Sequence, residues 1–210
     1  MTKLLVRNGS DAEVVVYITL GATPGCCQDL SKLKLSDDKK VTPLIPLQGY
    51  FTLQSHKLTE IEAPEGEGLN GNLAFGTQPL NCPTERFPHG VNLFEFIINN
   101  GFQENGQETV DISCVCGANA RVCVDLTADD WTSNGGAIAV GDFENGEWDK
   151  NTGRVGVFPY GCDNCTASVS PPKCVGQHPE FANALPICNV QRPASGNQGA
   201  QVIVLYRGAL

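Results

Sequence analysis

Basic residues are scarce and scattered in this chain: 14 Lys plus Arg stand against 23 Asp plus Glu among 210 residues, a net charge of −9. The nearest thing to a basic cluster is Lys32, Lys34, Lys39 and Lys40, and Asp37 and Asp38 interrupt it. Polyphosphate recognition needs a basic patch, so neither nucleic acid nor an anionic membrane is expected as a partner. Long apolar runs are missing too. The longest, Val14 to Ala22, is interrupted and falls far short of the roughly 20 residues of a transmembrane helix. No glycine period runs through the chain, which removes collagen. Met1 to Arg7 meets a turn at Asn8-Gly9 before any apolar leader develops, so no export signal is visible in the chain as written.

Glycine, proline and cysteine are plentiful instead. With 23 glycines and 13 prolines, turns will be many and helices few, and 41 % apolar residues are enough to bury a sizeable core in one all-β domain. The ten cysteines are Cys26, Cys27, Cys82, Cys114, Cys116, Cys123, Cys162, Cys165, Cys174 and Cys188. Their density and even number read as a disulfide framework, formed in an oxidising compartment. That conflicts with the missing export signal. Secretion with the leader absent is the favoured resolution, and a cytoplasmic protein with free thiols is the alternative. Two triplets, Asn8-Gly9-Ser10 and Asn164-Cys165-Thr166, would accept N-glycans after export.

Alternation of apolar and polar residues dominates the chain. Leu4, Val6, Val14, Val16 and Ile18 fall on period two around Asn8 to Asp11 and predict an opening hairpin. Further strands are predicted at Gly49 to Gln54, Lys57 to Glu62, Asn92 to Ile98, Thr109 to Val115, Arg121 to Leu126, Ala137 to Val140, Arg154 to Phe158 and Gln201 to Tyr206. Their number and spacing argue for a sandwich or barrel, in a single domain over 1–210. Its core would come from 1–62, 90–126 and 188–210. Residues 63–89 form a Gly/Pro/Asn-rich loop region and 127–187 a long loop-rich one, with a short helix expected at Pro179 to Leu185.

Few residues carry recognisable chemistry. Cys162-x2-Cys165 with Cys174 and Cys188 lacks the paired spacing of a zinc ribbon, so disulfides are the better reading and no metal or cofactor is expected. His56, His89 and His178 stand in no nucleophile context. The carboxylates say more. In Leu93 to Ile98, Phe94, Phe96 and Ile98 take one face and Leu93, Glu95 and Ile97 the other, so Glu95 sits mid-strand among bulky apolar neighbours. Asp111 is placed alike on the next strand. If the strands are neighbours, both acids can share a concave surface, although a lone surface acid on each strand fits the pattern equally well.

Pro88 to Phe96 followed by Val110 to Asn119 resembles the signature of thaumatin-like proteins, a TLAEF strand followed by a DxSLVDGFN segment. Gly71 to Gly76 with Leu80 to Cys82, the opening Leu4 to Leu20, and Cys188 to Tyr206 resemble other pieces of that family in the same order. The resemblance implies a flattened antiparallel β-sandwich with a disulfide-rich loop region and an acidic cleft, as in defence proteins that bind β-1,3-glucans and in related glucan hydrolases. It implies that Glu95 and Asp111 line the cleft, with Asn119 as a third ligand-binding residue. Cys116 falls where the family carries a second aspartate, no match to its cleft arginine is present, and its usual sixteen cysteines are reduced to ten. The function implied is therefore non-catalytic binding of a β-glucan or other neutral polysaccharide. The alternatives are an assembly protein on the same fold, and a hydrolase using Glu95 and Asp111. Phe94, Phe96, Trp131, Trp148 and Tyr160 are the aromatic platform candidates, each more readily explained as core.

Overall fold

The computed structural model describes residues 1–36, 38–79, 90–100, 106–131, 138–140, 155–158, 165–166, 173–174, 188–193 and 199–210. The predicted helix at 179–185 lies outside them, as do Cys82, His89, Trp148, Tyr160, Cys162, Asn164 and His178. Among the described residues the chain is all β apart from one 3-10 turn, Leu30–Lys32, which the Asp29 side chain caps by accepting from the Ser31 amide. No helix among them is long and apolar enough to cross a membrane.

Two sheets form a sandwich. The first contains β1 (Lys3–Asn8), β3 (Lys34–Leu35), β6 (Leu58–Glu62), β10 (Ala120–Leu126), β11 (Ile138–Val140) and β16 (Gln201–Ala209), in the order β11-β10-β16-β1-β6-β3. The second contains β2 (Val14–Leu20), β4 (Thr42–Ile45), β5 (Gln48–Leu53), β7 (Leu69–Phe75), β8 (Leu93–Ile98), β9 (Gln107–Ser113) and β12 (Val157–Phe158), in the order β12-β9-β8-β7-β2-β5-β4. β15 (Val190–Pro193) also pairs with β9, while β13 (Cys165–Thr166) and β14 (Lys173–Cys174) pair with each other. The predicted strands are present, but not every pairing is antiparallel. β1 runs parallel to β16, the first and last long strands lying side by side at the centre of the first sheet, and in the second sheet β12 runs parallel to β9.

The period-two pattern is what closes the core. Leu4 and Val6 of β1, Val202 and Val204 of β16, and Val122 and Val124 of β10 meet Val16 and Ile18 of β2, Leu73 and Phe75 of β7, and Phe94 and Phe96 of β8 in one buried cluster. Phe75 stacks on Tyr206 across the two sheets, with ring centroids 5.2 Å apart. Each such side chain contributes about 1.5 to 3 kcal/mol when fully buried.

Three expectations change. The opening strands are not a hairpin: β1 belongs to one sheet and β2 to the other, so Asn8 to Ala12 carries the chain across the sandwich. Fully buried Asn8 holds this crossing, donating from Nδ2 to the carbonyls of Ala12 (2.7 Å) and Leu53 (3.1 Å) and accepting from the Ser10 amide at 2.9 Å. Its glycosylation triplet is therefore occupied by structure. Second, the 63–89 loop region contains β7, which lies between β2 and β8. Its Gly and Asn hide the strand signal, yet glycine is needed there, since a Cβ on Gly71 would collide with the Thr19 carbonyl of β2. Third, 127–187 contributes, besides the predicted β11 and β12, the short strands β13 and β14.

A sealed ionic cluster ties the N-terminus to the second sheet. Arg192, 2 % exposed, pairs with Asp130 (3.0 Å) and Glu108 (3.6 Å) and lies over the Trp131 ring at 5.6 Å. The Thr2 hydroxyl donates to Glu108 at 2.6 Å, and the Asn99 amide N–H donates to the other Glu108 oxygen at 2.8 Å. Trp131 and the buried, mutually stacked Phe94 and Phe96 are thus core residues rather than ligand platforms.

Candidate functional site

β8 and β9 pair in the register that sets Glu95 directly opposite Asp111. Opposed residues on adjacent antiparallel strands have Cα atoms about 4.5 to 5.5 Å apart and side chains on the same face. Since Phe94 and Phe96 fill the core, Glu95 must point outward; since Val110 and Ile112 fill it from β9, so must Asp111. The same row continues through Asn72, opposite Glu95, to Thr19 and then Gln48. A polar line therefore crosses five strands of the outer face. One residue pair further along, Tyr17 and Tyr50 face each other across β2 and β5, half-buried, with ring centroids 6.1 Å apart.

The acids open on a cavity of about 270 Å³, lined by Asn70, Gly71, Glu95, Ile97, Thr109 and Asp111. Glu95 is half-buried, and Asp111 is only 7 % exposed. Asp111 and Ser113 lie close enough to Glu95 to bear on its ionisation, and Glu95 on that of Asp111. Burial pushes the Asp111 carboxyl well above the usual carboxylate range, and the adjacent Glu95 pushes it further. Burial raises Glu95 too, partly offset by Asp111 and Ser113. Two acids side by side on one face cannot both ionise cheaply, and both shifts run in that direction. Asp111 Oδ1 and Asn72 Oδ1 are buried and accept from no donor among the described residues.

Asn119 does not line this cavity. Its Nδ2 donates to the Phe75 carbonyl at 2.7 Å and to the Thr77 hydroxyl at 3.3 Å, while Asn92 Oδ1 accepts from its backbone amide. The contribution of Asn70, Asn72, Tyr17 and Tyr50 went unrecognised in the sequence. Alternation in β2 and β5 would have placed the tyrosines outward, whereas the asparagines needed β7 to be seen as a strand. His56 lies apart from the acids, exposed and 2.9 Å from Asp11. The larger cavity, about 850 Å³, lies beside the 3-10 turn and β3, with Lys32, Lys34 and Lys40 above an apolar floor of Leu30, Leu33 and Leu35.

The cysteines divide. Cys26, Cys27 and Cys123 are buried thiols outside any disulfide, whereas Cys116 and Cys188 are disulfide-bonded. Cys165 and Cys174 are opposed across β13 and β14. The framework of ten is therefore incomplete at these three positions, where the thiol serves as a small apolar core residue. Burial raises the Cys26, Cys27 and Cys123 thiols above their ordinary range, which makes them poor nucleophiles.

No known family profile matches the chain, and no curated protein matches it in sequence. Among solved structures it is similar to the thaumatin-like xylanase inhibitor TLXI, with 9 % identity over 97 % of both chains and a TM-score of 0.43. It is also similar to the protein elicitor MoHrip2 from Magnaporthe oryzae, with 12 % identity over 99 % of this chain and 100 % of that one and a TM-score of 0.39.

Proposed function

We propose that this chain is a secreted, thaumatin-like, defence-related binding protein that takes a neutral polysaccharide of the β-glucan type without cleaving it. The observation that carries the reading is the pairing of Glu95 directly opposite Asp111, both lining one open cavity at the end of a polar row. Hydroxyl-rich ligands need planar acceptors and amides set at fixed spacing, and Glu95, Asn70 and Thr109 provide them at the mouth of the cavity. Tyr17 and Tyr50, on the same face, offer apolar area to the faces of sugar rings. The disulfide-bonded Cys116 and Cys188 support an oxidising compartment.

Calorimetric titration with laminarin-type oligosaccharides tests the reading. Millimolar or tighter binding is expected, weakened about tenfold by Glu95→Gln through loss of charge-assisted hydrogen bonds, with no new reducing ends. No heat at millimolar ligand, or an unaffected variant, would overturn it. The buried thiols of Cys26, Cys27 and Cys123 favour a second reading, an intracellular assembly protein. Ten thiols titrating in denatured protein from its native source would select that reading.

A further inference from the structure

We propose that one edge of the sandwich holds a binding site for a small amphipathic anion, an unbranched aliphatic carboxylate whose chain extends the hydrophobic core and whose head is held by lysines. β3 is the last strand of the first sheet and β4 the last of the second, and the cavity of about 850 Å³ is lined by both strands and by the 3-10 turn. Its floor is made of Leu30, Leu33, Leu35 and Val41, all buried and all members of the main core cluster. At this edge, therefore, the core itself forms the wall of an open groove. Small-molecule sites occupy roughly 300 to 1,000 Å³ and are mostly apolar with a few placed polar groups, which describes this groove. An aliphatic chain laid on the floor is removed from water as a further core side chain would be.

The rim selects the head group. Lys32 ends the 3-10 turn, Lys34 lies on β3, and Lys39 and Lys40 precede β4, so the fold brings to one cavity lysines that Asp38 interrupts in the sequence. Lys39 is committed, its Nζ donating to the Thr52 carbonyl at 3.0 Å. Lys32, Lys34 and Lys40 are exposed and form no ion pair among the described residues. Asp38, Glu62 and Glu65 also line the groove, so four lysines face three acids there, a local positive excess in a chain of net charge −9. Charge complementarity thus favours one anionic head, for which a lysine is a flexible point charge with three donors. A polyanion fits poorly, because the three acids would repel its further charges. A sugar fits poorly too: among the described residues no aromatic side chain lines this groove, so a ring has no platform to stack on. A free inorganic anion would leave the apolar floor unused.

This groove shares no residue with the Glu95 cavity and needs no sugar, so its test is independent of the glucan titration. Full-length protein is titrated by calorimetry at pH 7.5 and low salt with decanoate, octanoate, octan-1-ol and acetate, each kept below the concentration at which it forms micelles. One decanoate per chain is expected, with Kd of order 10⁻⁵ to 10⁻⁴ M. Octanoate, two methylenes shorter, should bind up to about tenfold more weakly. Octan-1-ol, of the same length without the charge, should fall about fivefold below octanoate, and acetate should give no saturable heat. Lys32→Gln combined with Lys40→Gln, both exposed positions, should weaken decanoate about tenfold, while Arg207→Gln on the central strand β16 should leave it unchanged. No saturable heat up to 2 mM decanoate overturns the proposal. Equal affinity for octanoate and octan-1-ol also overturns it, since the head would then go unread. So does a lysine variant that binds as wild type does, or an Arg207→Gln protein weakened as much as the lysine variant, the signature of general anion association.

Discussion

One strand, β9, carries two buried acids three residues apart and treats them oppositely. Glu108 points into the sandwich and is satisfied from three sides, by Arg192, the Thr2 hydroxyl and the Asn99 amide. Asp111 points out, meets another acid, and keeps one oxygen without a donor among the described residues. A buried carboxylate must be paired, hydrogen-bonded or protonated. The first is paired, so it closes the structure; the second faces Glu95 and is pushed by burial toward its protonated form, so it stays chemically open. Compensation marks a structural acid here, and its absence marks the candidate site.

The largest test attacks the closed side. Arg192→Met removes the cation and strands Glu108 and Asp130, and should cost about 3 to 5 kcal/mol, read as a fall in denaturation midpoint. Restoring neutrality with Glu108→Gln in the same chain should recover part of that loss. An Arg192→Met protein as stable as wild type would mean that the two acids are not contrasted by their partners.

Next comes the backbone that brings the open side together. Gly71→Ala forces β7 away from the Thr19 carbonyl beneath the cavity and should destabilise by about 1 to 3 kcal/mol, measured by thermal melting.

A smaller effect, of opposite sign, is expected on the open side. Asp111→Asn removes a raised acid and should stabilise the fold at neutral pH by roughly 1 kcal/mol. Linkage fixes the pH dependence. The folded acids bind protons more tightly than in the unfolded chain, where they would titrate near 3.8 and 4.5. Between those values and the raised folded ones the native state holds more protons, so this contribution is full below the unfolded values and is lost as pH rises. Wild-type stability should therefore contain a component that declines with rising pH above the ordinary carboxylate range, and Asp111→Asn should lose it. A pH-independent difference between the two proteins would show that Asp111 is not raised.

The smallest effect concerns rates rather than stability. Cys26, Cys27 and Cys123 should resist a thiol reagent at pH 7.5 in folded protein and react on denaturation. Rapid labelling of the folded protein would show that these positions are not sealed.

Much of the sandwich was legible because period two is a local property: Leu4 and Val6, Val14 to Ile18, and Phe94 to Ile98 declare their inner faces in any context. The outward placement of Glu95 and Asp111 followed from the same rule. β7 was hidden because Leu-Asn-Gly-Asn-Leu-Ala-Phe carries turn residues whose purpose, close approach to β2, exists only after the sheet forms. The opening strands were misassigned as a hairpin because a turn sequence does not say whether its two strands pair or part. Here Asn8 reaches the carbonyls of Ala12 and of Leu53 on β5, a contact 45 residues distant.

By itself, then, the sequence determined the class: an acidic, glycine-rich and proline-rich chain whose alternating runs can bury one face each forms an all-β fold, sandwich or barrel. Only the tertiary structure decided what the acids and cysteines mean. A carboxyl's proton, or a thiol's fate, depends on which strand lies opposite and what reaches it. That is a matter of register and burial between residues far apart in the chain, which local pattern cannot encode.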